Sequence, residues 1–329
     1  MALVLCGVFL ASASGSARDI WIDTDPACGA ARTDDVDDCW ALVAALRSPN
    51  LNIIGVSSVF GNETVERTTA SLHDVLRVVA TELRGTVMPP VFPGAGQAGK
   101  KSADVSAAVL GMAAALERQS LTLVALGPLT NIAALLTLRP DLTHRIDAIV
   151  AVAGQRPGQR FTVGRSKILH LHDFNVRKDA EAVATVLRSR ISLHLVPFDA
   201  AKQITVAAKD LDKMTRRGGV DAWLAVQSRA WLSFWQDDLK ADGFHPFDAL
   251  AVSYVASLQN FDCQQFAVKR IDRRGLFVER DTLEFSDAIV GDKTARVCTV
   301  VSPALSADPL RLVGLRQSGG MPSDPVGYR

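Results

Sequence analysis

No apolar run in this chain reaches the roughly 20 residues that a bilayer-spanning helix requires. No block of Lys or Arg stands out, and the formal net charge is only +1. Nucleic acid and anionic membrane surfaces are therefore not expected partners. None of the five cysteines has Cys-x-x-Cys or zinc-finger spacing, which removes a structural zinc site. Neither Gly-x-Ser-x-Gly nor His-Glu-x-x-His occurs, so serine-hydrolase and zincin chemistry are unsupported. "GAGQAGKKS" comes close to a phosphate-binding loop, with Gly94 and Gly99-Lys100 correctly spaced. Lys101 stands where Ser or Thr is needed, however, and no clear strand feeds the loop.

What is present suits a substantial core: 329 residues, 48% apolar and 22% charged. Linker composition and internal repeats are absent, which predicts one domain over 18–315 and a frayed tail over 316–329. Residues 1–17, "MALVLCGVFLASASGSA", read as a signal-peptide apolar region with a small-residue cleavage site. That reading predicts a secreted or periplasmic protein. The alternative is a short hydrophobic extension of a cytoplasmic one, because no Lys or Arg precedes the apolar run. If Cys6 is removed, the other four cysteines could pair in an oxidising compartment. Buried free thiols are the expectation for Cys39, Cys263 and Cys298.

Short apolar runs alternate with helical periodicity. Strands are predicted at 19–24, 51–59, 121–126, 146–154 and 191–198, separated by helices. The alternation argues for an α/β fold, a mainly parallel open sheet with helices on both faces. The segments "QFAVKRIDRRGLFVER" and "ARVCTVVS" predict a small C-terminal β-rich, antiparallel extension.

The chemistry concentrates in "DIWIDTDPACGAARTDDVDDCWAL", Asp19 to Leu42, which holds seven aspartates. Asp-rich loops before helices usually cap them and complement their dipoles. Here Asp23 and Asp25 end a strand, and Asp37-Asp38 fall in the first turn of the next helix. In an open parallel sheet these positions share the rim where ligands bind, together with Gly61-Asn62, Gly127–Asn131, Asp173 and Asn175. Oxygen donors without nearby Cys or His suit a hard cation, Ca²⁺ or Mg²⁺.

"DTDP", a later "DD" opening a helix, "GN", "GPLTN", "DFN" and "FDALAV" occur in this order. Together they resemble the inosine–uridine-type nucleoside hydrolases, whose N-terminal signature is Asp-x-Asp-Pro-Gly-x-Asp-Asp-Ala. The resemblance implies hydrolysis of the N-glycosidic bond of ribonucleosides by a calcium-bound water that an aspartate activates. By position, Asp25 is implied as calcium ligand and general base. Asp38, Asp248 and the carbonyl of Leu126 are implied as further ligands. Asp37, Asn62, Asp173 and Asn175 are implied to bind the sugar. A small homo-oligomer is implied as well.

The chain departs from that pattern. Ten residues, Ala27–Val36, separate Pro26 from Asp37 where the family has two, which makes Asp34-Asp35 a rival acidic pair. Asp173 replaces a glutamate, and Lys167 falls near an expected asparagine. The histidine that precedes the last aspartate in many members is Phe247 here. His245 or His172 could protonate the leaving base instead, and Trp231 or Trp235 could hold it by stacking. Two other readings stay open: a metal-dependent nucleoside- or ribose-binding protein without turnover, and an Asp-dependent phosphatase-like hydrolase.

Overall fold

The computed structural model describes residues 17–314 except 30, 100–105, 160, 165–169, 172, 275–278 and 289. The signal-like segment up to residue 16, the predicted tail, Lys167 and His172 lie outside the described residues.

Eleven strands are described: β1 Arg18–Thr24, β2 Leu51–Ser58, β3 Val91–Phe92, β4 Leu121–Ala125, β5 Ile146–Ala151, β6 Phe161–Thr162, β7 His170–Leu171, β8 Leu193–Leu195, β9 Phe261–Arg274, β10 Glu279–Ser286 and β11 Lys293–Val301. The helices are α1 Asp37–Arg47, α2 Val65–Glu82, α3 Ala107–Arg118, α4 Thr130–Leu138, α5 Phe174–Lys178, α6 Ala180–Arg188, α7 Phe198–Ala201, α8 Ala208–Arg217, α9 Gly219–Ser233, α10 Phe247–Ala256 and α11 Pro303–Ala307.

Nine strands form one sheet in the order β10-β9-β11-β8-β5-β4-β1-β2-β3, and β6 pairs with β7 separately. Strands from β3 across to β11 run parallel. β9 and β10 add an antiparallel edge, matching the expected C-terminal extension. The chain leaves β1 toward β2 on one side and later fills β4 and β5 on the other. β1 and β4 therefore flank the switch point where such sheets bind ligands.

The side-chain period of two sorts each central strand between two apolar layers. Ile20, Ile22, Val124, Leu126 and Val150 enter one core with α1, α9 and α10. Trp21, Leu123, Ala125, Ile149 and Ala151 enter the other with α3, α4 and α6. Helices on both faces are thus a direct result of central strands apolar on both sides.

Two expectations need correction. The strand predicted over 191–198 is confined to Leu193–Leu195. Pro197 lacks an N–H for the ladder and sits instead as the residue before α7. The cysteines expected as free thiols are paired, Cys28 with Cys39 and Cys263 with Cys298. Cys263 and Cys298 face each other across the β9–β11 ladder, and nothing in their sequence spacing reveals that register. Among the described residues no helix is long and apolar enough to cross a membrane.

Candidate active site

The acidic residues converge beyond the carboxyl ends of β1 and β4. Asp25 follows β1 directly, Asp37 and Asp38 lie in the first turn of α1, and Asp248 lies in the first turn of α10. Asp37, Asp38 and Asp248 each bring a carboxylate oxygen within 4.8 Å of the others, and all three are buried. Asp25 joins them through its backbone N–H, which donates to Asp38 Oδ1 at 3.2 Å.

Four buried carboxylates at such spacing oppose one another. Burial, then the charges of neighbouring aspartates, holds Asp25 and Asp248 well above the usual carboxylate range. Burial also pushes Asp37 and Asp38 up to about 6. Among the described residues no Lys, Arg or His forms an ion pair with any of the four. Buried charge needs a partner, and an all-oxygen donor set fits a hard divalent cation.

Neighbouring groups fix these carboxylates. The Thr24 hydroxyl donates to Asp38 Oδ1. Asn62 donates its backbone N–H to Asp25 Oδ2 at 2.8 Å and its side-chain amide to Asp38 Oδ2 at 3.1 Å. A Cβ on either Gly61 or Gly127 would collide with the Asp25 carboxylate, so the glycines of "GN" and "GPLTN" make room for it. Asp23 faces elsewhere, accepting from Ser57 Oγ at 2.5 Å and Asn131 Nδ2 at 2.8 Å. Asn131 also accepts from Ala95 N–H and donates to Ser58 O, tying three rim loops together. Asp23 thus ties the end of β1 to β2 and α4.

A cavity of about 520 Å³ opens beside this cluster. Asp25, Asp37, Asn62, Leu126, Asp173, Asn175, Trp235 and Asp248 all line it, so most of the sequence-derived set meets at one place. Asn175 donates to the Leu126 carbonyl at 2.6 Å. Asp173 has a structural duty that the sequence reading missed. It caps α5 by accepting from Val176 N–H at 3.1 Å and also accepts from Gly154 N–H at 2.8 Å.

Much of the remaining wall is aromatic: Phe161, Phe174, Phe198, Trp231, Phe234, Trp235 and Phe247. Trp231 stacks on Phe234 with centroids 5.2 Å apart and meets Trp235 edge-on at 6.1 Å. Trp231 closes α9 and Trp235 sits in the π-turn Phe234–Asp238 that follows. Spacing alone marked the two tryptophans, but not the phenylalanines that distant segments contribute.

His245 does not line the cavity. Its Nδ1 lies 2.7 Å from the Ile204 carbonyl, and the ring packs edge-on against Trp235 and Phe247. Burial lowers its pKa. The structure thus sets the residue expected as a proton donor one layer behind the wall, its ring packed and facing a backbone carbonyl. Its nearness to Asp248 in sequence suggested a shared pocket, yet Pro246 and Phe247 intervene.

The rival pair also resolves. Asp34 turns back on its own loop, accepting from Ala31 N–H at 2.8 Å. Asp35 lines the cavity together with Thr33, and its Oδ1 accepts from Asp37 N–H at 3.1 Å. Both were assigned to the insertion, and the contribution of Asp35 to the cavity was not anticipated. Asp35 reaches it because Asp37 opens α1 and draws that carboxylate to the helix N-terminus.

Known proteins resemble this chain in sequence and in fold. The family model described as inosine-uridine preferring nucleoside hydrolase matches residues 20–304. The non-specific ribonucleoside hydrolase RihC of Escherichia coli is 27% identical over 292 residues, spanning 83% of this chain and 90% of the relative. A plant nucleoside hydrolase, the PpNRh1 enzyme, superposes with a TM-score of 0.73 at 19% identity, over 91% of this chain and 99% of that one. The purine-preferring ribonucleoside hydrolase of Gardnerella vaginalis gives 0.73 at 20% identity, covering 90% and 98%. The match over most of the chain and the shared fold lead to one conclusion: this protein belongs to the inosine-uridine preferring nucleoside hydrolase family.

Proposed function

We propose that this protein hydrolyses the N-glycosidic bond of ribonucleosides to free base and ribose, with calcium held by Asp25, Asp38, Asp248 and the Leu126 carbonyl. The observation that carries the reading is one cavity with a buried carboxylate cluster in its wall and seven aromatic rings in its lining. Bound there, the cation would offset the carboxylate charge, hold vicinal ribose hydroxyls and make a neighbouring water more acidic.

The chain's own residues do the rest. Asp25 is the base that takes the proton of the attacking water, held in aim by Asn62 and the two glycines. Asp37, Asn62, Asp173 and Asn175 bind ribose hydroxyls, so that binding fixes the anomeric carbon against the water. Positive charge grows on the sugar as the bond breaks, and the acidic wall stabilises it. Trp231, Trp235 and the phenylalanines hold the base by stacking.

One observation favours the binding protein without turnover: no His, Lys, Tyr or Cys lines the cavity among the described residues. Release of free base from purified protein decides between the two. Hydrolysis is expected with calcium, lost on chelation and lost in Asp25→Asn. Turnover that survives both treatments sinks the calcium mechanism. Calcium-dependent ligand binding without turnover on any ribonucleoside establishes the binding protein.

A further inference from the structure

The ten-residue insertion is anchored at several points. Cys28 is joined to Cys39 of α1, with Cα atoms 6.1 Å apart. Gly29 lies directly against α9: its φ is +47°, and a Cβ there would strike the Gln227 backbone. Arg32 crosses to the turn after α9, donating to Asp237 at 3.0 Å and to the Ser233 carbonyl at 3.3 Å, with Asp238 2.7 Å away. Asp34 closes the loop on Ala31. The insertion thus straps the helix that carries Asp37 and Asp38 to the segment that carries Trp231, Phe234 and Trp235. Between the anchors, Thr33 and Asp35 reach the cavity wall.

An inserted loop that merely skirted the fold would need neither a covalent tie beside the acidic cluster nor a charged clamp on the aromatic wall. We infer that Arg32–Asp35 of the insertion form a second ligand-binding element, in which Thr33 and Asp35 contact the nucleoside while Arg32 and the Cys28–Cys39 bridge hold them in position. This rests on the nucleosidase reading of the same cavity and deepens it. Asp35 adds a carboxylate acceptor to a wall whose cation, among the described residues, is Arg177; burial, then the charge of Asp37, holds this carboxyl well above the usual range, so a cationic group beside it is favoured. Asp35 therefore selects ribosides that present hydrogen-bond donors, most strongly those whose base is cationic. A charged hydrogen bond of this kind contributes about tenfold in affinity.

The test compares wild type with Asp35→Asn, Thr33→Val and Arg32→Ala on inosine, uridine and a cationic N-ribosylpyridinium, all with saturating calcium. Asp35→Asn keeps the amide-sized shape and an acceptor for Asp37 N–H, so the fold is retained. Its expected effect is an approximately tenfold rise in KM for the cationic substrate, a smaller rise for the neutral ones and little change in kcat. Arg32→Ala and Thr33→Val should raise KM for all three, with the unfolding midpoint and calcium affinity of wild type. Wild-type turnover whose KM values and substrate order survive all three substitutions overturns the strap while leaving the nucleosidase reading intact. Wild-type protein that neither binds nor cleaves any of the three overturns both.

Discussion

The Asn175 side chain donates to the Leu126 carbonyl at 2.6 Å, so a residue proposed to bind sugar also aims a proposed metal ligand. Carbonyl oxygens have two lone pairs, and this bond orients the group without exhausting it. Asn175→Ala should raise the calcium concentration for half-maximal activity several-fold and raise KM with it. Calcium titration by calorimetry separates the two effects. Unchanged calcium affinity would remove the link between Asn175 and the carbonyl.

Gly61 and Gly127 stand where the Asp25 carboxylate leaves no room for a Cβ. Gly61→Ala and Gly127→Ala should each cut kcat/KM by about a hundredfold, the scale of a misplaced catalytic group. The far-ultraviolet circular dichroism should stay that of the parent. Near-normal activity in either variant would show that Asp25 need not sit where it does.

Arg47 gathers the last turn of α1 against three other segments. It pairs with Glu82 at 2.5 Å and Asp221 at 2.7 Å and donates to the Val313 carbonyl at 3.1 Å. Asp221 is buried. Arg47→Met leaves that carboxylate without its partner and should cost about 3 kcal/mol in urea unfolding. A loss below about 1 kcal/mol would place the pair with ordinary surface bridges.

Cys28→Ser opens the covalent tie of the insertion. Chain-entropy reasoning for so short a loop gives a stability loss of about 3 kcal/mol. The same variant should raise KM for ribonucleosides more than it lowers kcat. Chemical unfolding and steady-state kinetics measured on one preparation check both parts.

His194 lies on β8, with Nδ1 2.9 Å from the Tyr254 hydroxyl. Burial, then the charges of Arg296 and Arg18, lowers its pKa from 6.5 to about 4. The unfolded chain therefore takes up this proton first as pH falls. Its contribution to stability is intact above about pH 6.5 and is lost progressively toward pH 4. His194→Gln should flatten that part of the stability–pH curve; an unaltered curve would assign the acid sensitivity elsewhere.

Much of this was legible in the chain. Apolar strands ending in Asp, Gly-Asn and Gly-Pro-Leu-Thr-Asn announce a parallel sheet with a polar rim, because strand period and switch-point geometry are local rules. The same rules gathered Asp25, Asp37 and Asn62 at one rim, and the resemblance alone added Asp248. Contacts set by tertiary register stayed hidden. Cys263 and Cys298 meet only through the β9–β11 ladder, and Phe161 and Phe198 reach the cavity from β6 and α7. The position of the His245 ring also stayed hidden, because sequence proximity to Asp248 says nothing of which way a ring turns at Pro246.

The acidic cluster has one more consequence. Its members come from residues 25, 37, 38 and 248, brought together only by the finished fold. A divalent ion there would act as a cross-link between the first strand and the tenth helix, closing a loop over most of the chain. Such a link belongs to the native state alone, so added calcium should raise the unfolding free energy as a tightly bound ligand does, by about 2.7 kcal/mol at a hundredfold excess over its Kd. The ion would then support the folded chain as well as the reaction.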